Sequence, residues 1–358
     1  MAVAFIGPVF GAVADTKNYK KKIFLVTVLV GVIGCIAMGI AATWLGFLVI
    51  FVIAKIGYSA SLVFYDSMLH DVTTPERLDE VSSQGYAWGY IGSCIPFILC
   101  MVVVLGSDKI GISLETAMII SFAIVAVWWF CLTIPLLKTY QQKYFVERQQ
   151  HAVSASFKRI GNTIRNVRNE KKVFIFLLAF FFYIDGVYTI IDMATAYGSA
   201  LGLDSTGLLL ALLATQFVAF PCSILFGKLA KKHAAEKLIG ICIAAYFGIA
   251  IFAMFLQHQW QFWMLAVLVG MFQGGIQALS RSYFTKIIPA KQSGEYFGLM
   301  DICGKGASFV GTTVVSLVSQ LTNDVNKGVG MIAFMFIIGG ILFYIAARAE
   351  NASSCSVK

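Results

Sequence analysis

Residues 173–197 read VFIFLLAFFFYIDGVYTIIDMATAY, 25 positions with two charged side chains, Asp185 and Asp192. As an α-helix rising ~1.5 Å per residue, this stretch is longer than the ~30 Å hydrocarbon core of a bilayer. A membrane β-barrel strand would instead alternate apolar and polar residues over about 10 positions. The stretch shows no such alternation and predicts a transmembrane helix. Working outward, nine more runs share its character: 23–43, 45–64, 86–105, 117–137, 206–226, 238–256, 262–282, 296–318 and 329–347. The whole chain follows suit, with 358 residues, 59% of them hydrophobic and 13% charged. A soluble domain carries roughly 25% charged residues. These numbers exclude a water-soluble globular protein and predict an all-α polytopic membrane protein.

Ahead of the ten spans stands a short apolar fragment, residues 2–14, too short to cross by itself. It has no basic n-region and runs into Lys17, Lys20, Lys21 and Lys22, which argues against a cleaved signal peptide. The net charge of +9 sorts by loop. One alternate set of loops, with the C-terminal tail, holds 23 of the 27 Lys and Arg residues, and the opposite loops hold Lys109 and Lys327. The positive-inside rule makes the basic set, and the C-terminus, cytoplasmic. The basic balance is thus topological, and no nucleic-acid partner is expected. Eight cysteines, without a CxxC pair, read as small buried apolar residues rather than a disulfide framework or metal site. The longest polar stretch, 138–172, can form an amphipathic helix along the inner membrane surface with Phe145, Val153, Phe157, Ile160 and Ile164 on one side. It divides the chain into a bundle over 1–137 and a six-helix bundle over 173–348, with a cytoplasmic tail over 349–358.

The two bundles repeat. Phe10-Gly11 before Asp15 and a lysine cluster resembles Phe226-Gly227 before Lys231, Lys232 and Lys237, and Pro75 and Gly85 match Pro289 and Gly298. The offsets are 216, 214 and 213 residues. Three anchors near one period indicate homologous halves. Carried backwards, the period puts the counterpart of 173–197 about 18 to 42 residues before Met1, so a six-plus-six parent is expected, with the first helix and part of the second missing here. The other reading makes the fragment a short interfacial segment of a native eleven-span protein.

At this point the residues resemble a known family. Gly11-Ala-Val-Ala-Asp15 followed by Lys20-Lys21-Lys22 is similar to the loop signature of the major facilitator superfamily, with Asn18 where that loop usually has glycine. Phe64-Tyr-Asp-Ser-Met-Leu-His-Asp-Val-Thr-Thr-Pro75, Gly85-Tyr-Ala-Trp-Gly-Tyr-Ile-Gly92, Phe182-Tyr-Ile-Asp-Gly-Val-Tyr-Thr-Ile190 and Gly274-Gly-Ile-Gln-Ala-Leu-Ser-Arg-Ser282 are more specific. With Phe297-Gly298 and Gly304-Lys305, they resemble the vacuolar-effluxer-like branch, the autophagy-related amino-acid effluxers and their bacterial relatives. The resemblance implies a two-bundle helical fold and a secondary transporter working by alternating access, with amino-acid export as the activity of the fungal relatives. It also implies a gate in which Gly11, Asp15, Lys20 and Lys21 act at the start of the helix near Glu295. The short polar stretches favour a bacterial plasma membrane over a vacuole.

A charge near mid-bilayer costs at least ~2.5 kcal/mol, so each one within a span is a candidate functional residue. Lys55 lies mid-span. Asp185 and Asp192, seven apart, share a helix face. Gln273, Gln277 and Arg281 form an i, i+4, i+8 stripe. These six are the candidate substrate or coupling residues: Asp185 for a proton or an amine, Lys55 or Arg281 for a carboxylate. The glutamines also suit plain interhelical glue. Asp301 and Lys305, at i and i+4, suit either a self-neutralising pair or a switching gate.

The expected partners are the lipid bilayer, a small polar solute such as an amino acid, and a proton. An intramembrane enzyme is disfavoured, because His70, His151, His233 and His258 sit in loops or at span ends and form no ligand cluster. Without a G-x-x-x-x-G-K-[ST] loop, the chain has no signature of its own for ATP-driven transport. No cofactor or metal is expected. The alternative to a transporter is a non-transporting membrane receptor or scaffold derived from one.

Overall fold

The computed structural model of the chain describes residues 2–147, 167 and 170–349. Its long helices are α1 (Ala2–Ala14), α2 (Lys20–Met38), α3 (Trp44–Ser67), α4 (Leu78–Leu105), α5 (Leu114–Thr139), α6 (Lys171–Ala200), α7 (Ser205–Leu229), α8 (Ala235–Ala253), α9 (Gln259–Ile287), α10 (Ser293–Thr322) and α11 (Val325–Arg348). Among the described residues, the ten from α2 to α11 are long and apolar enough to cross a membrane, matching the ten predicted runs. Side chains such as Ile33, Val127 and Ile341 are more than half exposed, on a surface made for lipid rather than water.

Helices α4, α9 and α10 extend beyond the apolar runs that announced them. Their extra turns carry polar residues such as Asp79, Ser82 and Ser293, which are covered by protein rather than by lipid. A hydropathy reading alone cannot include them.

The helix starts differ between the two ends of the bundle. The odd-numbered helices after α1 begin at the lysine-poor end, where Thr43, Ser113, Asp204 and Asp324 each accept a hydrogen bond from a first-turn N–H of α3, α5, α7 and α11. A capping box of His258 and Gln261 opens α9. At the lysine-rich end, α2, α4, α6, α8 and α10 have no side-chain cap from their own N-cap residue. Their first-turn donors must be met from elsewhere.

The repeat is visible in the element boundaries. Lys20 and Ala235, Trp44 and Gln259, and Leu78 and Ser293 open α2 and α8, α3 and α9, and α4 and α10, and each pair is 215 residues apart. The first half, α1–α5, meets the second, α6–α11, mainly where α1 crosses α10, where α4 packs on α7 and α9, and where α3 touches α10. The α1–α10 crossing is glycine against glycine: a Cβ on Gly11 would stand 2.2 Å from the Gly294 carbonyl oxygen, and one on Gly298 would stand 2.7 Å from Pro8 Cα. Larger residues would force the two backbones apart.

The second half owns the larger core, with Phe176, Tyr183, Phe284 and Phe343 packed ring on ring. Between the halves, the predicted linker helix does not begin at 138. Helix α5 runs to Thr139, and residues 140–147 are non-helical, joined to the α1–α2 turn by Val146 N–H to the Asp15 carbonyl (2.8 Å) and Lys17 N–H to the Val146 carbonyl (3.2 Å). Phe145 therefore lies in this strap and not on a helix. Val153, Phe157, Ile160 and Ile164, and the tail beyond Ala349, lie outside the described residues.

Candidate functional site

Between the halves lies a cavity of about 890 Å³ lined by α3, α4, α6, α9 and α10. Six charged side chains face it: Lys55, Asp66, Asp192, Arg281, Asp301 and Lys305. Of the residues singled out in the sequence, Lys55, Asp192, Gln277, Arg281, Asp301 and Lys305 come together here. Two do not. Gln273 is buried one turn from Gln277 without lining the cavity, and Asp185, 1% exposed, points away from it. Asp185 accepts a hydrogen bond from Thr189 Oγ1 at 3.3 Å and presses on α10, where a Cβ at Gly311 would fall 2.4 Å from its carboxylate. Only a glycine at 311 leaves this carboxylate its place.

Asp66 escaped the sequence reading and is the partner of Arg281. Their ion pair is 2.9 Å long, and the guanidinium also donates from Nε to Ser82 Oγ and from Nη2 to the Ser82 carbonyl, both at 2.9 Å. The rings of Tyr86 and Tyr65 stand 4.7 and 5.6 Å from its Cζ. Every arm of Arg281 is thus used within the protein, and it forms the floor of the cavity at the lysine-rich end. The signal for Asp66 was available: it precedes Arg281 by 215 residues, the interval between matching helix starts.

The remaining charges divide into two groups. Lys305 pairs with Asp301 at 2.5 Å and donates to the Ser59 carbonyl at 3.1 Å, so these two are mutually neutralised. Lys55 lies 5.4 Å from the Tyr58 ring, and Asp192 accepts a single 3.3 Å hydrogen bond from Ser308. Among the described residues neither Lys55 nor Asp192 forms an ion pair. Among the described residues, the cavity therefore presents one cation and one anion without an opposite charge.

Below the floor a second, fully buried cluster seals the lysine-rich end. Asp15 accepts from the Gly294 and Glu295 N–H groups at 2.8 and 3.0 Å, so α10 receives from the other half the cap that it lacks. Lys20 lies 3.5 Å from both Asp15 and Asp71 and donates to Ser293 Oγ at 2.8 Å. Asp71 accepts from Tyr140 Oη and from the Lys143 and Tyr144 N–H groups of the strap. Burial, and then the Asp71 carboxylate, push the Tyr140 phenol up, keeping it a donor. Burial, and then Lys20, lower His70 to about 4, so its imidazole stays neutral and adds no charge. Gly11 belongs to this layer through the α1–α10 crossing, whereas Lys21 is exposed and joins none of these contacts. Asn18 takes the left-handed φ of 65° that a glycine would supply. Two further pairs cross the halves, Lys286 with Asp79 at 2.5 Å and Lys231 with Glu80 at 3.0 Å.

The family model described as "Vacuole effluxer Atg22 like" matches residues 1–76 and 70–354. The chain is 42% identical over 344 residues to the "Uncharacterized MFS-type transporter YxiO" of Bacillus subtilis (strain 168), covering 95% of this chain and 80% of that protein. It is 24% identical over 285 residues to "Autophagy-related protein 22-1" of Aspergillus niger, covering 72% of this chain but 45% of the fungal protein, under half its length. The fold is similar to that of the E. coli fucose:proton symporter FucP, with a TM-score of 0.66 at 15% identity over 97% of this chain and 90% of that one.

Proposed function

The chain belongs to the vacuole effluxer Atg22-like family, a membrane transporter of major facilitator type, and from that premise we propose that it exports a zwitterionic solute, an amino acid, by alternating access. The observation that carries the substrate reading is the pair left unneutralised in the cavity. Lys55 can take a carboxylate and Asp192 an ammonium, while the other four cavity charges are already paired. The family's description as effluxers supports the direction. The lysine distribution and the bacterial relative support a plasma membrane, with the lysine-rich end and the C-terminus in the cytoplasm. In that orientation the conformation described is closed to the cytoplasm by the Asp15 cluster and the Arg281 floor.

Uptake and exchange of a labelled amino-acid panel by purified protein in proteoliposomes tests this reading. Lys55→Gln and Asp192→Asn should each weaken apparent affinity about tenfold or more, the loss typical of one charge-assisted contact. Absence of exchange across the whole panel, or full affinity in both variants, would refute it.

Asp185 fits the coupling role better than a binding role. It is a carboxylate buried beside Thr189 and Gly311, with no cation paired to it among the described residues, so taking up a proton relieves an uncompensated buried charge. Asp185→Asn is expected to abolish proton-driven accumulation while leaving solute exchange in place. Unchanged pH dependence of transport in that variant would remove Asp185 from the mechanism.

A further inference from the structure

A second cavity, of about 290 Å³, lies at the lysine-rich end, and its lining shares no residue with that of the transport cavity. The start of α6, the α7–α8 turn with the start of α8, and the end of α9 surround it, with Asp79 of α4 at its edge. Three kinds of hydrogen-bond donor meet there, and none of them is taken up by a protein acceptor among the described residues. The first turn of α8 has no side-chain cap, because Ala234 stands at the N-cap. Tyr283, 2% exposed, lines the cavity, and its hydroxyl is buried with no hydrogen-bond partner among the described residues. Lys172 stands 5.8 Å from the Tyr283 ring and makes no ion pair among the described residues.

A buried hydroxyl without a partner costs about 1–3 kcal/mol. A ligand oxygen that accepted from it would remove that cost. A helix N-terminus, an ammonium and a hydroxyl converging on one small space suit a tetrahedral oxyanion. Of the two acids at the cavity, Asp79 is already consumed: Ser282 Oγ donates to it at 2.6 Å and Lys286 at 2.5 Å. Glu236, in the first turn of α8, is the remaining acceptor. It opposes a bare anion and favours one whose neighbouring group donates a hydrogen bond. The cavity lies beside the first residues of α6 and α8, and the ends of membrane-spanning helices meet the lipid headgroups.

We propose that this cavity holds the phosphate of a membrane phospholipid whose headgroup carries a donor, an ammonium or a hydroxyl, for Glu236. The phosphate accepts from Tyr283, Lys172 and the α8 N–H groups. This assignment stands independently of what the transport cavity carries.

Native mass spectrometry of the full chain in detergent, with phosphatidylethanolamine, phosphatidylglycerol or phosphatidylcholine added singly, tests it, with inorganic phosphate as a separate arm. The first two lipids should bind about tenfold more tightly than phosphatidylcholine, which has no headgroup donor. Tyr283→Phe keeps the ring packed on Phe176 and Phe343, and should weaken binding roughly threefold to tenfold by loss of one hydrogen bond. Lys172→Gln should weaken it about tenfold or more, and Lys109→Gln, at the opposite end, should change nothing. Retention of inorganic phosphate in place of the lipids, with the same response to Tyr283→Phe and Lys172→Gln, would overturn the lipid assignment and leave a site for a soluble phosphorylated solute. Lipid binding indifferent to both substitutions would overturn the proposal altogether.

Discussion

A chain carrying Lys20→Met is expected to unfold about 3–5 kcal/mol more easily than the wild type, the cost of leaving buried charge without its counter-charge. Lys20 stands between Asp15 and Asp71, and all three side chains are fully buried. Methionine fills much the same volume but removes the ammonium that stands between the two carboxylates. The damage reaches the helix that Asp15 caps. Hydrogen exchange at Gly294 and Glu295 should accelerate at least tenfold, because repulsion from Asp71 draws Asp15 away from those amides. Titration of unfolding in mixed micelles reads the first effect, and exchange mass spectrometry of the first turn of α10 reads the second. Unaltered stability together with unaltered exchange would show that the cluster does not hold the two halves together.

Arg281→Met should also be severe, approaching about 3–5 kcal/mol, because it leaves Asp66 at the cavity floor without its counter-charge and deprives Ser82 of both its contacts with the guanidinium. Arg281→Lys should recover little of the loss. An ammonium can meet Asp66, but it cannot also reach the Ser82 hydroxyl and carbonyl in the plane of a guanidinium fork. The pair Asp66→Leu with Arg281→Met removes both charges together and should cost less than the sum of the single changes. Additive losses would mean that the two side chains act separately. The same unfolding titration decides it.

Much of this architecture was legible in the chain itself. Apolar runs announce ten helices because lipid tolerates almost nothing else over that length, and the halves declare themselves through spaced glycines and prolines. The cavity was harder to read. Lys55, Asp192, Gln277 and Arg281 could be marked as costly within a span, but whether a charge meets a cavity or a neighbouring helix depends on helix rotation, which near-uniform hydrophobicity conceals. Asp185 shows this: it shares a face with Asp192 by spacing, yet it ends against Gly311 rather than in the cavity. Asp66 hid for a different reason. It sits at the polar end of α3, where an acidic residue looks like ordinary headgroup contact until its partner from the other half is in view. The strap at residues 140–147 belongs to a polar stretch whose apolar spacing suits an amphipathic helix. Its hydrogen bonds run to the α1–α2 turn, a contact that no local pattern announces.

The Asp66–Arg281 pair also bears on parentage. The two residues occupy matching places in the two repeats, yet they carry opposite charge. Asp15 and Lys231, 216 apart, do the same, one seated on the first turn of α10 and the other on Glu80 at the first turn of α4. If either half associated with a duplicate of itself, aspartate would meet aspartate or arginine would meet arginine in a place with little water to screen them. The contacts that join these halves thus also forbid their interchange. A protein made of two like halves would need other contacts to close this end.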